Sequence, residues 1–248
     1  MRIGIKPFGT IILILFGAVQ IAPAMADAQS SDGRKNVVVE MFLSQACKSS
    51  PPAADYLDDL AQRSDLVILT WHVDYWNLLA NRKFGRWSDP FSKTQFADRQ
   101  RAYNRKIRHR GTVFTPQAII NGEASVIGSK REAVEAAIEG GRASLAPMSF
   151  AFEAKGDKLA VTIDKAGAED ADIVLVSFYK HSETEISGGD NAGSVFREPN
   201  IVTGVKRLGE ISKGSATFDL DAPGEGSGCA VLVQSPDEGR ILGASYCP

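Results

Sequence analysis

Cysteine and histidine are scarce in this sequence, three of each in 248 residues. His72, His109 and His181 stand far apart, without the close His or Cys spacing that builds a metal centre, so neither a metal nor another cofactor is expected. Neither sign of charge is in excess. A formal net charge of -2 gives no global attraction to nucleic acid. Internal repeats and low-complexity tracts are absent, which excludes solenoids and disordered arrays. Long apolar runs are missing too. The longest, from Thr10 to Ile21, is shorter than the ~20 residues that cross a bilayer.

That one run has a context. Arg2 and Lys6 precede it, and Pro23 and Ala24-Met25-Ala26 follow. A charged start, a short apolar stretch and an A-x-A ending describe a secretory signal peptide over 1–26. Cleavage before Asp27 would leave a periplasmic chain with no membrane span. In such a compartment an odd cysteine count is informative, because two can pair and one is left over.

Composition changes near Pro147. Upstream, strand-like and helix-like segments alternate; downstream, short strands are separated by Gly, Asp and Ser turns. The expected organisation is a linker over 27–35, an α/β domain over 36–145 and an all-β domain over 146–248. Asn36–Leu43 (NVVVEMFL) reads as a strand covered on both faces. Leu66–Val73 reads likewise. Pro51 and Pro52 suit the first turn of a helix reaching about Arg63, where a missing N–H costs nothing. Further helices are expected at Thr94–Arg108, with Phe96, Tyr103 and Ile107 inward, and at Lys130–Glu139. Asn121-Gly122 joins Gln117–Ile120 to Glu123–Ile127 as a hairpin. Downstream, Met148, Phe150 and Phe152 alternate, as do Leu159, Val161 and Ile163, and strands follow at Asp172–Tyr179, Thr217–Leu220, Cys229–Gln234 and Ile241–Tyr246.

The order β-α-β-α-β-β-α, with Cys47 at the first strand-to-helix junction and Thr115-Pro116 before the third strand, is the thioredoxin layout, in which that X-Pro bond is cis. The fold class expected is therefore α/β plus all-β: a thioredoxin-like domain, then a small antiparallel β-sandwich. A helix start and the neighbouring Lys48 form a setting in which a thiolate is favoured, which makes Cys47 a candidate nucleophile; a buried structural thiol is the plainer reading. Ser50 stands where a resolving cysteine would sit. Its hydroxyl could donate to a Cys47 thiolate but cannot displace a partner from it.

Trp71–Trp76 (WHVDYW) forms a second cluster. On a strand His72, Asp74 and Trp76 share one side, at the end of the sheet where ligands collect. His72 or Asp74 then serves as proton acceptor or ligand contact, or else the histidine is satisfied inside the fold. Thr115 and Pro116 would present backbone to a substrate peptide. Arg99–Arg110 is locally cationic, either a solvated helix face or a site for an anion. Pro236–Gly239 reads as the turn of the last hairpin; with Pro236 paired to Arg240 around a three-residue loop, the register sets Cys229 opposite Cys247, a structural disulfide in an oxidising compartment.

VVVEMFLSQACKSSPPAADYL, WHVDYW and RQRAYNRKIRHRGTVFTPQAIINGEASVIGSKREAVEAAI closely resemble the DUF1223 family of bacterial exported thioredoxin-like proteins. The resemblance continues more weakly to AVLVQSPDEGRILGA. Many members look like Cys-Ser-Ser-Cys-Pro-Pro at the helix start, so Ser50 here replaces a second cysteine. Two functions follow as expectations. One is monothiol thiol–disulfide exchange through Cys47 with a thiol- or disulfide-bearing protein or a low-molecular-weight thiol. The other is a redox-inactive protein that binds a peptide or small ligand between its two domains.

Overall fold

The computed structural model describes residue 1, residues 29–31, 35–79 and 85–248. Residues 2–26 of the expected signal segment and most of the linker lie outside the described residues. In chain order the elements are β1 (Gln29–Ser31), β2 (Val37–Leu43), α1 (Pro51–Ala61), β3 (Leu66–His72), α2 (Trp76–Leu79), α3 (Thr94–Ile107), β4 (Gln117–Ile120) and β5 (Ala124–Ile127). After α4 (Arg131–Ala143) come β6 (Met148–Lys155), β7 (Lys158–Lys165), β8 (Ala171–Glu185), β9 (Val195–Ile211), β10 (Gly214–Asp221), β11 (Ser227–Gln234) and β12 (Ile241–Tyr246). No helix among the described residues is long and apolar enough to cross a membrane.

Strands β2 and β3 are buried along their whole length, as their nearly continuous apolar sequences require, with Glu40, Thr70 and His72 as the polar members. Alternation divides their side chains between two cores. Val37, Val39, Met41 and Leu43 pack with Leu57 and Leu60 of α1 and Val134 and Ile138 of α4. Val38, Phe42, Leu69 and Trp71 pack with Phe96 and Tyr103 of α3 on the opposite side. At the β4–β5 hairpin Asn121 and Gly122 both adopt positive φ, 48° and 66°, the left-handed pair that an Asn-Gly turn supplies cheaply. Glu123 lengthens that loop by one residue, since Ile120 pairs with Ala124.

The expected fold class is corrected at this level. The protein is mostly β, and its strands do not divide into a thioredoxin-like α/β sheet and a separate sandwich. One mixed sheet of eight strands runs β12-β11-β8-β9-β3-β2-β4-β5. Its join is β9, a 17-residue strand to which the sequence reading assigned nothing. β9 pairs antiparallel with β8 from Ala171↔Ile211 to Glu185↔Val195, and meets β3 in parallel at Thr70↔Ile201. The second sheet, β1-β6-β7-β10, covers only the C-terminal part of the first. Phe150, Phe152, Val161 and Ile163 there pack on Ile173, Val231, Val233 and Leu242 of the large sheet.

Cys229 and Cys247 form a disulfide across β11 and β12, with Cα atoms 5.3 Å apart. Ala230 pairs with Tyr246, and the Cys247 N–H donates to the Cys229 carbonyl at 2.8 Å. The bridge spans a separation of 18 residues. Loop closure of that size is worth about 3 kcal/mol. Cys229→Ala/Cys247→Ala is expected to lower unfolding stability by that amount in urea titration, with the same shift on adding reductant to the unmodified protein.

Candidate functional site

Cys47 sits in the turn between β2 and α1. Its N–H donates to the Ser44 carbonyl at 3.0 Å, and its carbonyl accepts from Ser50 N–H at 3.0 Å. Pro51 and Pro52 bring no N–H to the helix start, and those of Ala53 and Ala54 both go to the Ser50 carbonyl. The double proline that marks this helix in the sequence thus also empties its first turn of free donors. Ser50 is fully buried, and its hydroxyl accepts from Ser44 N–H at 3.3 Å. Lys48 is exposed.

Cys47 is itself only 2% exposed. Its Sγ lies 3.7 Å from the Thr115 carbonyl oxygen, to which the thiol donates. The Thr115-Pro116 peptide bond is cis. Trp76 Nε1–H donates to Thr115 Oγ1 at 2.6 Å, and half-buried Tyr75 donates from its hydroxyl to Gln100 Oε1 at 3.2 Å. Burial pushes the Tyr75 hydroxyl well above its ordinary value, with the neighbouring Cys47 adding to the rise. Cys47, Thr115, Pro116 and Trp76 therefore share one place, with Tyr75 of the same WHVDYW cluster beside them. Behind them Gln100 Nε2–H donates to the Phe114 carbonyl at 2.8 Å and to Gln117 Oε1 at 2.7 Å, fixing the loop that ends at Pro116.

His72 and Asp74 do not join this cleft. Strand β3 stops at His72, so the alternation expected to place His72, Asp74 and Trp76 on one side ends there. Asp74 accepts from the Thr94 hydroxyl at 2.6 Å, at the start of α3. His72 is fully buried between two carboxylates. Its Nδ1 is 2.8 Å from Asp89 Oδ2, and its Nε2 is 3.7 Å from Glu198 Oε1. Burial pulls its pKa down, but Asp89 and Glu198 override that and hold it at about 9. Burial likewise raises Glu198, while for Asp89 the imidazolium outweighs burial and lowers the carboxyl.

This buried group braces the Cys47 turn. Gln45 N–H donates to Asp89 Oδ2 at 2.8 Å, and Gln45 Nε2 donates to Glu198 Oε2 at 3.0 Å. From the hairpin between β8 and β9, Asn191 Nδ2 donates to the carbonyls of Gln45 and Cys47 at 2.7 and 3.0 Å. That hairpin comes close because Gly188 lacks a side chain; a Cβ there would lie 2.6 Å from the Arg86 carbonyl oxygen. Among the described residues no group of three His, Cys, Asp or Glu side chains is placed to hold a metal ion.

The family model for proteins of unknown function DUF1223 matches residues 38–234, the span that contains the cleft and its bracing groups. The chain belongs to the DUF1223 family. This DUF1223 chain is similar to the crystal structure of a protein from Agrobacterium tumefaciens, with a TM-score of 0.70 and 28% sequence identity. The likeness covers 85% of this chain and 92% of that one. No curated protein matches it.

Of the DUF1223 chain's bracing residues, Asp89, Asn191 and Glu198 escaped the sequence reading.

Proposed function

We propose that this DUF1223 chain is an exported, periplasmic monothiol protein that exchanges with disulfides through Cys47. The observation that carries the reading is that Cys47 is unpaired, while Cys229 and Cys247 are joined, and that it lies against the backbone carbonyl of Thr115. A structural disulfide supports an oxidising compartment. The Cys47 thiol gives its proton to solvent, and the thiolate attacks one sulfur of a partner disulfide. The old S–S bond breaks, a new one forms to Cys47, and the other partner sulfur leaves as thiolate. Ser50 has no sulfur to reverse the step, so the mixed disulfide persists until an outside thiol attacks it. Because Cys47 is buried, the partner has to be slender or has to open the cleft between Thr115, Trp76 and the Cys47 turn.

Incubation with 2-hydroxyethyl disulfide, a small neutral reagent, followed by intact-mass measurement tests the reading. One adduct is expected on the unmodified chain and none on Cys47→Ser. Ser50→Cys is expected to convert the stable adduct into a transient one, with a new internal disulfide in its place. Absence of any adduct in the folded state rejects the exchange reading.

A second reading, ligand binding without redox chemistry, is favoured by a different feature. A cavity of about 620 Å³ lies where α3 meets the C-terminal strands, lined by Arg99, Gln234, Val205, Arg207 and Glu238. Biological function that survives Cys47→Ala would select it.

A further inference from the structure

The Cys229–Cys247 bridge joins β11 to the residue that follows β12, and its two halves differ in setting. Cys229 is buried and packs with Val231, Val233 and Leu242 in the layer between the two sheets. Cys247 is only half-buried, at the border of that layer. Both line a cavity of about 400 Å³, whose other walls include Phe178, Pro199, Asn200 and Tyr246. That volume lies within the roughly 300–1,000 Å³ of small-molecule sites. Gly228 lets the Phe178 wall lie against the bridge, since a Cβ there would be 2.4 Å from the ring.

In the folded chain the strands do not depend on the bridge to stay together. β11 and β12 pair from Ala230↔Tyr246 to Gln234↔Ile241. The Tyr246 hydroxyl accepts from Ile68 N–H at 2.7 Å and from Asn200 Nδ2 at 2.9 Å, which fixes the end of β12 to β3 and β9. The Cys247 N–H bond to the Cys229 carbonyl needs no sulfur. Opening the bridge therefore lifts its constraint on the unfolded chain but leaves the contacts that hold β12. A disulfide with one accessible sulfur is of the labile kind, in contrast to a fully enclosed one.

We propose that the Cys229–Cys247 disulfide is a second thiol-exchange site, which takes a low-molecular-weight thiol through this cavity and is reduced by it. The inference does not rest on Cys47. The incoming thiolate attacks Cys247, the less buried of the two. A bond forms between them, the Cys229–Cys247 bond breaks, and Cys229 Sγ leaves with the electron pair and takes up a proton. A second thiolate then attacks the substrate sulfur of the mixed disulfide, and Cys247 leaves and is protonated in turn. Two small thiols are oxidised to one disulfide, and the protein bridge is reduced to two thiols.

The test is the opening of the bridge by 2-mercaptoethanol in the folded state, on the unmodified chain and on Cys47→Ala, read by alkylation of the freed thiols and intact mass. Both bridge cysteines are expected to be labelled in each chain, at a rate proportional to thiol concentration. Adding about 1 M urea is expected to change that rate by less than about 2-fold, whereas attack through global unfolding would raise it about 5-fold or more. His181 is exposed and lines the cavity. His181→Trp narrows the entrance and is expected to slow opening about 5-fold, with urea stability unchanged. A single-cysteine protein thiol, scaled to its rate on 2-hydroxyethyl disulfide, is expected to react about 10-fold more slowly than 2-mercaptoethanol. A bridge that opens only with unfolding, or as fast in His181→Trp, overturns the proposal; a protein thiol that is the faster reagent overturns its substrate class. Exchange at Cys47 is scored with a different reagent on a different residue, so either reading can fail alone.

Discussion

Arg99→Met is expected to destabilise the protein by about 3–5 kcal/mol, the cost of removing one member of a buried ion pair. Arg99 Nε donates to Glu40 Oε1 at 2.7 Å, and both side chains lie inside the fold. Burial alone would push the Arg99 pKa down, but the Glu40 carboxylate overrides it and holds the guanidinium above its ordinary value. Its Nη2 donates to the Tyr103 hydroxyl at 2.7 Å and to Gln234 Oε1 at 3.0 Å. Tyr103 in turn donates to Glu40 Oε2 and accepts from Gln234 Nε2 at 2.8 Å. Methionine fills most of the volume, so the loss is electrostatic and hydrogen-bonded rather than a cavity. Glu40 would keep Tyr103 as its one remaining donor in this group. The double variant Glu40→Leu/Arg99→Met removes the stranded charge, and Tyr103 and Gln234 can still pair. It is therefore expected to lie within about 1–2 kcal/mol of the unmodified protein. Urea unfolding of the two single variants and the double variant checks this. A double variant as unstable as the sum of the singles would show the two sites to be uncoupled and sink the argument.

Half of this network has a sign in the sequence that the strand assignment left unused. Glu40 is the single charge in NVVVEMFL, and a strand covered on both faces obliges such a charge to find a partner. Alternation with Val38 and Phe42 sets it on the α3 side. Arg99 is legible only as the start of a cationic stretch: positions 99, 100 and 104 fall on the same helical face as Phe96, Tyr103 and Ile107, but the polar side chains there do not announce burial. The fold class failed for a related reason. Pro199, Gly204, Gly209 and the scattered charges of Val195–Ile211 lower its strand signal, yet that segment joins the N-terminal strands to the C-terminal ones. Its pairing partners come from β8 and β3, and a single sequence does not encode which distant strand will offer an edge. By contrast the partners of the Cys229–Cys247 bridge lie in one hairpin, close in sequence; its loop closes on Ser235 and Arg240 rather than on Pro236 and Arg240, and a bulge at Val233/Gln234 restores the register that sets the two cysteines opposite each other. Cys47 and Thr115 stood out by residue type and position. Asp89 and Glu198, 17 and 126 residues from His72, did not, because a buried ion cluster is defined by tertiary contact alone.

The second large effect is a loss of stability at alkaline pH that belongs to His72. Its pKa is held at about 9 in the folded chain against an ordinary value of 6.5. A base with a raised folded pKa contributes stability that is fully present below its unfolded pKa and is lost as pH rises through the folded one. Between about pH 6.5 and pH 9 the unmodified protein should therefore lose about 3 kcal/mol from this group. The partners set the other limits. Asp89, held low, contributes stability that is lost as pH falls through its depressed folded value. Glu198, raised by burial, costs stability as pH rises above the ordinary carboxyl range, so it steepens the decline toward neutrality. Exposed groups titrate in the same alkaline range, and His72→Gln serves as the control that keeps them. Urea unfolding at constant ionic strength is expected to show a His72-dependent slope over that window, absent in His72→Gln and reduced in Asp89→Asn. Parallel slopes for His72→Gln and the unmodified chain would mean that the imidazole is neutral when folded, with Glu198 facing a lone pair across 3.7 Å rather than an N–H. In that case the bracing of Gln45, and through it of the Cys47 turn, would fall to Asp89 and Asn191 alone. The expected slope instead makes the imidazolium the group that allows two carboxylates to be buried beside the candidate nucleophile, which explains why His72 stays out of the cleft it supports.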